Sequence, residues 1–386
     1  PSNCSAPCSP RMVRLSIFEV TWLRCRLQRR GVEFLRPPRT FGTYREKDQR
    51  QMRISSSSSR NRTSAGGFAF ALVLFALGSA RAEIVTFDPP GSDMTMPAGI
   101  NAIGWITGFY SNGGIHGFLR APDGTITTID VSAAPCGTYI WGINRDSVVV
   151  GEGRDHDCKS HAFIRTAEGT ITTFDVPEAD STSAVSINDK GLITGAFKDS
   201  NGQAHGFLRA KNEALETFDF PGAVQTFPMA VNRSGVITGS YVDGSQMWRG
   251  FVRTKDGNFS TFDPRHSTAT DVAGINDSGE VAGWYHTNQS KIFGFIRIRR
   301  GKTKKIDPDH SASVLVHAIN NNGAATGFYG VLGTTHGFVR AADGSIAGFD
   351  PEQSVGTEAR AINDAGAVAG DFLGNDELYH GFVRTP

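Results

Sequence analysis

Five of the ten histidines share one short context, a histidine followed by a small residue and phenylalanine: His116, His161, His205, His336 and His380. In the first four cases an aspartate follows within fifteen residues, at Asp130, Asp175, Asp219 and Asp350. A histidine beside a carboxylate can relay a proton or hold a metal. A second grouping is Cys136 and Cys158 with His156 and His161, a thiol pair next to imidazoles.

Both groupings also have plainer readings. A metal site needs three or four ligands converging on one point. Five histidines at one repeat position stand apart from one another, and Arg249 and Phe293 fill that position elsewhere. The histidine is therefore read as scaffold, with a His–Asp hydrogen bond holding two strand ends. The segment CKSH lacks the second closely spaced cysteine of a zinc knuckle, and export permits a Cys136–Cys158 disulfide. No metal and no cofactor is expected. GxSxG, HExxH, Walker and Rossmann patterns are all missing.

The elements that place these residues are repeats. An asparagine recurs at Asn101, Asn144, Asn188, Asn232, Asn276, Asn320 and Asn363, spaced 43 or 44 apart. A glycine follows it by three residues in six repeats, with Ser147 in the second. A strand-end aspartate and a phenylalanine keep the same period. Each unit reads as four short strands, lettered a to d here. In the third unit these are SAVSIN, LITGAF, HGFLRA and LETFDF. No segment has a helical apolar period. Four short strands per unit of about 44 residues predict an all-β, seven-bladed β-propeller.

The two ends of the pattern are complementary. Residues 84–87 form a strand d with no a, b or c before it, and 381–384 form a strand c with no d after it. Their pairing closes the ring and removes an exposed edge. Centring the c–d turn on Asp123-Gly124 pairs Phe118 with Ile129, and Phe163 with Phe174 in the second unit.

The stretch before the repeats differs. Residues 1–82 carry 15 Lys/Arg against four Asp/Glu, whereas 83–386 carry 24 against 34. An acidic body gives no support for nucleic-acid binding. Residues 1–51 read as a disordered upstream extension. Residues 52–82 have a basic start, an apolar run and Ala80-Arg81-Ala82, which reads as a signal peptide cleaved after Ala82. The apolar run is too short for a membrane anchor. A secreted or periplasmic monomer is expected, with residues 83–386 as its domain.

The blocks SINDKGLITG with HGFLR, GINDSGEVAG with FGFIR, and AINDAGAVAG with HGFVR resemble the extracellular HAF repeat family, and His161-Ala162-Phe163 is the HAF variant itself. The resemblance covers about residues 84–386. It implies a secreted bacterial repeat protein and carries over no catalytic residue. The b–c loops and d–a connections share one end and vary most, so ligand contacts are expected there. The candidates are Asp155, His156, Asp157, Asp243, Trp248, His286 and Asp376. The expected function is an exported binding or surface-interaction module for an extracellular ligand, a glycan or an envelope protein. The alternatives are an extracytoplasmic hydrolase or lyase on a propeller scaffold and a structural envelope protein.

Overall fold

The alternating apolar pattern resolves into 28 strands and no α-helix among the described residues of a computed structural model. The described residues are 82–299, 301–308, 311, 313–331 and 333–386. The upstream extension and, apart from Ala82, the signal peptide lie outside them. The strands form three four-stranded and two eight-stranded sheets. Each eight-stranded sheet joins two units through a single parallel bridge, Met94–Tyr379 or Ile292–Ser313. The fold is all-β and propeller-like.

The third unit shows how sequence becomes strand. Ser181–Ile187, Ile193–Lys198, Ala204–Arg209 and Leu215–Phe218 pair antiparallel in succession. Asn188 closes the a–b turn, its Oδ1 accepting from Lys190 N at 2.9 Å and Leu192 N at 3.0 Å. Gly191 there takes φ +76°, a left-handed conformation that suits glycine. Ser147 accepts the same strain in the second unit at φ +61°. The strand Ile84–Phe87 pairs antiparallel with Tyr379–Arg384, Ile84 opposite Arg384 and Phe87 opposite Gly381.

The c–d register differs from the expected one by a single residue. Gly117, not Phe118, lies opposite Ile129, and Phe118 lies opposite Thr128. Likewise Ala162 faces Phe174 and Phe163 faces Thr173. The turn is a three-residue loop, closed by Ala121 N to Thr125 O at 2.8 Å, with Gly124 at φ +95°. A type I turn followed by a left-handed glycine has this form, and it moves every cross-strand partner by one.

The corrected register explains the core. The strand-c phenylalanines Phe118, Phe163, Phe207, Phe251, Phe295, Phe338 and Phe382 are all fully buried. Four of them meet a phenylalanine of the preceding unit's strand d edge-on, whereas Phe251 also packs on Phe259 of its own strand d at 6.0 Å. Phe87–Phe118, Phe174–Phe207, Phe262–Phe295 and Phe349–Phe382 have ring centroids 5.7–6.0 Å apart. The arginine two residues further on covers the same ring: Arg120 lies 4.8 Å from the Phe87 centroid and Arg209 4.7 Å from Phe174. Units are thus joined by aromatic and cation–π contacts.

Candidate functional site

Strand a holds the positions that depart from the repeat. In all seven units it carries a β-bulge at one position, whose extra residue is Ala98, Trp141, Val185, Met229, Ala273, His317 or Arg360. A bulge re-aims a side chain out of the ladder. The bulge exists because the strand-b residue beside it is always glycine. A Cβ on Gly108, Gly151, Gly195, Gly239, Gly283, Gly327 or Gly370 would stand 1.9–2.3 Å from a strand-a carbonyl oxygen. Each strand a contacts strand a of the next unit, and the last, Ser354–Ile362, contacts the first, Met94–Ile100. The bulge residues thus recur as one row, at one position on adjoining strands a.

At the NDxG end the strand-a ends and their turns line a cavity of about 210 Å³, with residues from all seven units. Its wall is repeat residues already bonded to one another. Asn188 Nδ2 donates to Asn232 O at 2.8 Å, Asn232 to Asn276 O at 3.1 Å, and Asn363 to Asn101 O at 3.0 Å. The other four asparagines continue the series. These amides are spent on structure.

The row and the strand-b column beside it are chemically uneven. In units one and two, Phe109, Tyr139 and Trp141 form an aromatic group, Tyr139 and Trp141 near-parallel at 6.0 Å and Phe109 edge-on to both. The Arg154 guanidinium covers Tyr139 at 4.4 Å. Arg154 also binds Glu152 at 2.6 Å, and Ser183 donates to the other Glu152 oxygen. Burial alone would lower the Arg154 pKa, but Glu152 outweighs it and holds the group firmly charged.

Units five to seven form a polar group. Arg360 bridges two acids on neighbouring strands, bonding Asp371 through Nε and Glu358 through Nη2 at 2.8 Å. Burial opposes its charge, while Asp371 and Glu358 raise its pKa beyond the usual arginine range. His317 donates from Nδ1 to Ala359 O at 3.1 Å and lies edge-on to Trp284 and Phe328. Burial, helped by the Arg360 charge, pushes its pKa down to about 4. It is therefore neutral near pH 7, with Nε2 as the acceptor nitrogen. His286 Nε2 lies 3.6 Å from Asp271 Oδ2.

The repeat histidines pair with the strand-end aspartates: His116–Asp130 at 2.9 Å, His161–Asp175 at 2.8 Å, His205–Asp219 at 2.9 Å, His336–Asp350 at 2.7 Å and His380–Asp88 at 2.7 Å. Where the unit has Arg249, the guanidinium takes Asp263 at 3.0 Å. Where it has Phe293, Lys305 covers the ring at 4.2 Å and binds Asp307 at 2.8 Å. The aspartate also reaches the following strand a, as in Thr95 to Asp88 at 2.5 Å and Thr270 to Asp263 at 2.6 Å.

Among the loop candidates, Asp155, Asp243 and Asp376 share one role. Each accepts backbone N–H bonds in its own b–c turn and contacts the basic residue of strand c: Asp155–His161 at 3.3 Å, Asp243–Arg249 at 3.1 Å and Asp376–His380 at 3.1 Å. Asp199 beside His205 is a fourth case. Trp248 stacks on Phe227 at 5.1 Å. His156 and Asp157 are exposed on the turn next to the cysteines. The Cys136 and Cys158 thiols are 2.9 Å apart and not bonded covalently. Among the described residues no three His, Cys, Asp or Glu side chains are grouped to hold a metal, and no helix is long and apolar enough to cross a membrane.

Sequence reasoning passed over Glu152, Arg154, Asp271, Glu358, Arg360 and Asp371. A signal was there. The residue after the unvarying strand-b glycine is Phe109, Glu152, Ala196, Ser240, Trp284, Phe328 or Asp371, a column without consensus inside an otherwise regular strand.

No family model matches the chain, and no curated protein matches it. Among solved structures it is similar to virginiamycin B lyase from Staphylococcus aureus, at 13% identity and TM-score 0.55, covering 79% of this chain and 100% of that one. It is also similar to the β-propeller domain of the Trilobed protease from Pyrococcus furiosus, at 11% identity and TM-score 0.57, covering 75% and 94%. Puromycin hydrolase matches at 12% identity and TM-score 0.53, covering 77% of this chain and 54% of that one. At these identities the likeness is one of fold.

Proposed function

We propose that residues 83–386 form a seven-bladed propeller closed between residues 84–87 and 381–384, and that it is an exported binding module of the HAF repeat kind. Its ligand enters from the b–c and d–a loop end and meets the strand-a row. One observation carries this reading. The repeat positions are engaged with one another, whereas the aromatic and ion-paired residues that break the repeat gather on the strand-a row and the strand-b column beside it. The closed ring is supported by the Ile84–Phe87 pairing and by the Asn363–Asn101 bond. Export rests on residues 52–82, and a Cys136–Cys158 disulfide would suit an oxidising compartment.

A second reading, a hydrolase or lyase using this same row, is favoured by His317, a neutral imidazole next to a fixed arginine. Calorimetric titration with extracellular ligands separates the two readings when paired with a turnover assay. Binding without turnover, lost when Trp141 or Glu358 is replaced, supports the module. Turnover abolished by His317→Ala with binding retained supports the enzyme. Binding unaffected by any change on the row overturns both.

A further inference from the structure

We propose that the c–d hairpin of the fifth unit is a docking surface for an anionic polysaccharide, held by Arg299, Lys302 and Lys304. The surface lies outside the strand-a row, so a polymer bound here counts neither for nor against that site.

The starting observation is a local reversal of charge. Residues 83–386 carry 24 Lys/Arg against 34 Asp/Glu, yet the segment RIRRGKTKK, 297–305, holds six Lys/Arg and no acid. A basic run of this length is the usual footprint of a polyanion. It breaks the repeat in two places. Each of the other c–d turns contains an acid, Asp123, Glu168, Glu213, Asp256 or Asp343, whereas 298–302 contains none. The two middle positions of strand d are uncharged in every other unit except at Glu216, and here they are Lys304 and Lys305.

The geometry leaves these charges unspent. Ile298 N donates to Lys302 O at 3.0 Å, and Thr303–Ile306 pairs only with Ile292–Arg297 among the described strands. Strand d is thus an outer edge. Lys302 and Lys304 are two residues apart, so their side chains leave one face of it. They stand about 7 Å apart along the chain. That is inside the Debye length of about 8 Å at physiological salt, so their fields add. Arg299 lies over its own a–b turn, its Cγ 3.8 Å from where a Cβ on Gly279 would stand. All three residues are exposed, and among the described residues none of them has an ion-pair partner. Lys305 is different, being bound to Asp307 at 2.8 Å.

The neighbouring unit strengthens the field. In the third unit the position of Lys304 is Glu216, which accepts from Arg253 of the next unit. The arginine at the Arg253 position beside Lys304 is Arg340, bonded to the Ala341 carbonyl rather than to an acid. A lysine therefore stands where the repeat elsewhere places a neutralising carboxylate. Lysines on an edge strand also discourage pairing with another chain. That role accounts for neither Arg299 nor Lys302, which precede the strand, and the six other strands d have no lysine.

The class follows from shape and surroundings. Among the described residues of 292–306 no large apolar side chain is exposed, so the hairpin has nothing to insert into a bilayer. It offers no exposed aromatic ring on which bases would stack. A nucleic-acid duplex is broad and would bring its phosphates against the acidic body. An anionic polysaccharide is slim, and its spaced carboxylates, sulfates or phosphates can follow the edge from Arg299 to Lys304.

The experiment is calorimetric titration of the protein with polygalacturonate, dextran sulfate, uncharged dextran, a DNA duplex and vesicles of phosphatidylglycerol with phosphatidylcholine. Wild type is compared with the triple variant Arg299→Ala, Lys302→Ser, Lys304→Thr. Other units already carry these residue types at the same positions, as Ala342, Ser345 and Thr127, so the fold tolerates them. A second triple variant, Lys190→Ala, Lys211→Ala, Lys255→Ala, removes the same charge elsewhere. Thermal melts confirm that both are folded. The expected result is that polygalacturonate or dextran sulfate binds and uncharged dextran does not. Affinity should fall at least about tenfold in the hairpin variant and stay unchanged in the second. With three ionic contacts it should also weaken about 20- to 40-fold between roughly 50 and 200 mM salt. Equal losses in the two variants would show that total charge is read, and would overturn the placement. So would binding unchanged in the hairpin variant. Uncharged dextran bound as well as the anionic polymers, or vesicles or duplex bound in their stead, would overturn the class. Binding of no probe would overturn the proposal.

Discussion

His380 and Asp88 are separated by 292 positions of sequence and 2.7 Å of space. Asp376 holds the other ring nitrogen at 3.1 Å. Burial lowers the His380 pKa, but the bonds to Asp88 and Asp376 outweigh it and raise the value above 6.5. His161 is raised likewise, mainly through Asp175. A raised histidine stabilises the fold fully below its unfolded pKa and loses that contribution as pH rises through the folded one. Asp376 and Asp155 are lowered, so their contribution is present above 3.8 and lost as pH falls through the folded value. Melting temperature should therefore fall by about 1–3 °C on going from pH 6 to pH 8.5. The fall should be smaller in the His161→Gln, His380→Gln double variant. An unchanged slope in thermal melts would refute the assignment.

Deleting residues 83–90 removes a whole strand pairing together with the Asp88–His380 bond and the Arg120 stack on Phe87. It leaves Tyr379–Arg384 as an unpaired edge, which invites association with other chains. The truncated protein should melt much lower and aggregate in light scattering. Equal stability would contradict closure by this strand.

Gly195→Ala would place a Cβ 2.0 Å from the Ser183 carbonyl oxygen, and backbone must move to accept it. The expected cost is about 3 kcal/mol or more by urea unfolding. Gly202→Ala is the contrast. It has φ +77° but nothing within 4 Å, so only its backbone strain is felt. That should cost about 1 kcal/mol. Equal losses at the two sites would show that the bulge does not need the glycine.

Asn188→Ala removes two turn bonds and the amide that reaches Asn232 O. It leaves a buried carbonyl short of a donor, at an expected cost of about 1–3 kcal/mol in chemical denaturation. Asn188→Asp keeps the turn acceptor but offers no N–H to the next unit, so it tests the inter-unit bond alone.

Oxidation should join Cys136 to Cys158, since the thiols already lie 2.9 Å apart. Closing a loop of this length is worth about 3 kcal/mol in the chain-entropy account. Mass spectrometry of oxidised protein should show the bond, and reductant should lower the melting temperature of wild type but not of Cys136→Ser. Thiols that stay reduced under mild oxidant would rule the bond out.

The strands and turns were legible because each glycine and asparagine marks a backbone need that recurs at one period. The His116–Asp130 hydrogen bond was legible from the repeat, whereas the pairing of Phe118 with Ile129 was one residue out, since a two-residue turn was assumed where Gly124 adds a third residue. The row of Trp141, His317 and Arg360 was harder to see. A bulge leaves no composition of its own, and its cause, the strand-b glycine, looks like any other glycine until its Cβ is placed. Asp155 and Asp376 looked unique because their counterparts Asp199 and Asp243 lie in other units, in b–c loops of different sequence.

The seven asparagine amides all point the same way round, each giving its hydrogen to the next unit's carbonyl. Such a circuit has no first member. The bond from Asn363 to Asn101 spans 262 residues and is chemically the same as the others, which span 43 or 44. A circular permutant, with the present ends joined and new ones cut in the exposed loop around Gly202, would keep every one of them. The order in which the units follow one another along the chain therefore leaves no mark on this set of bonds.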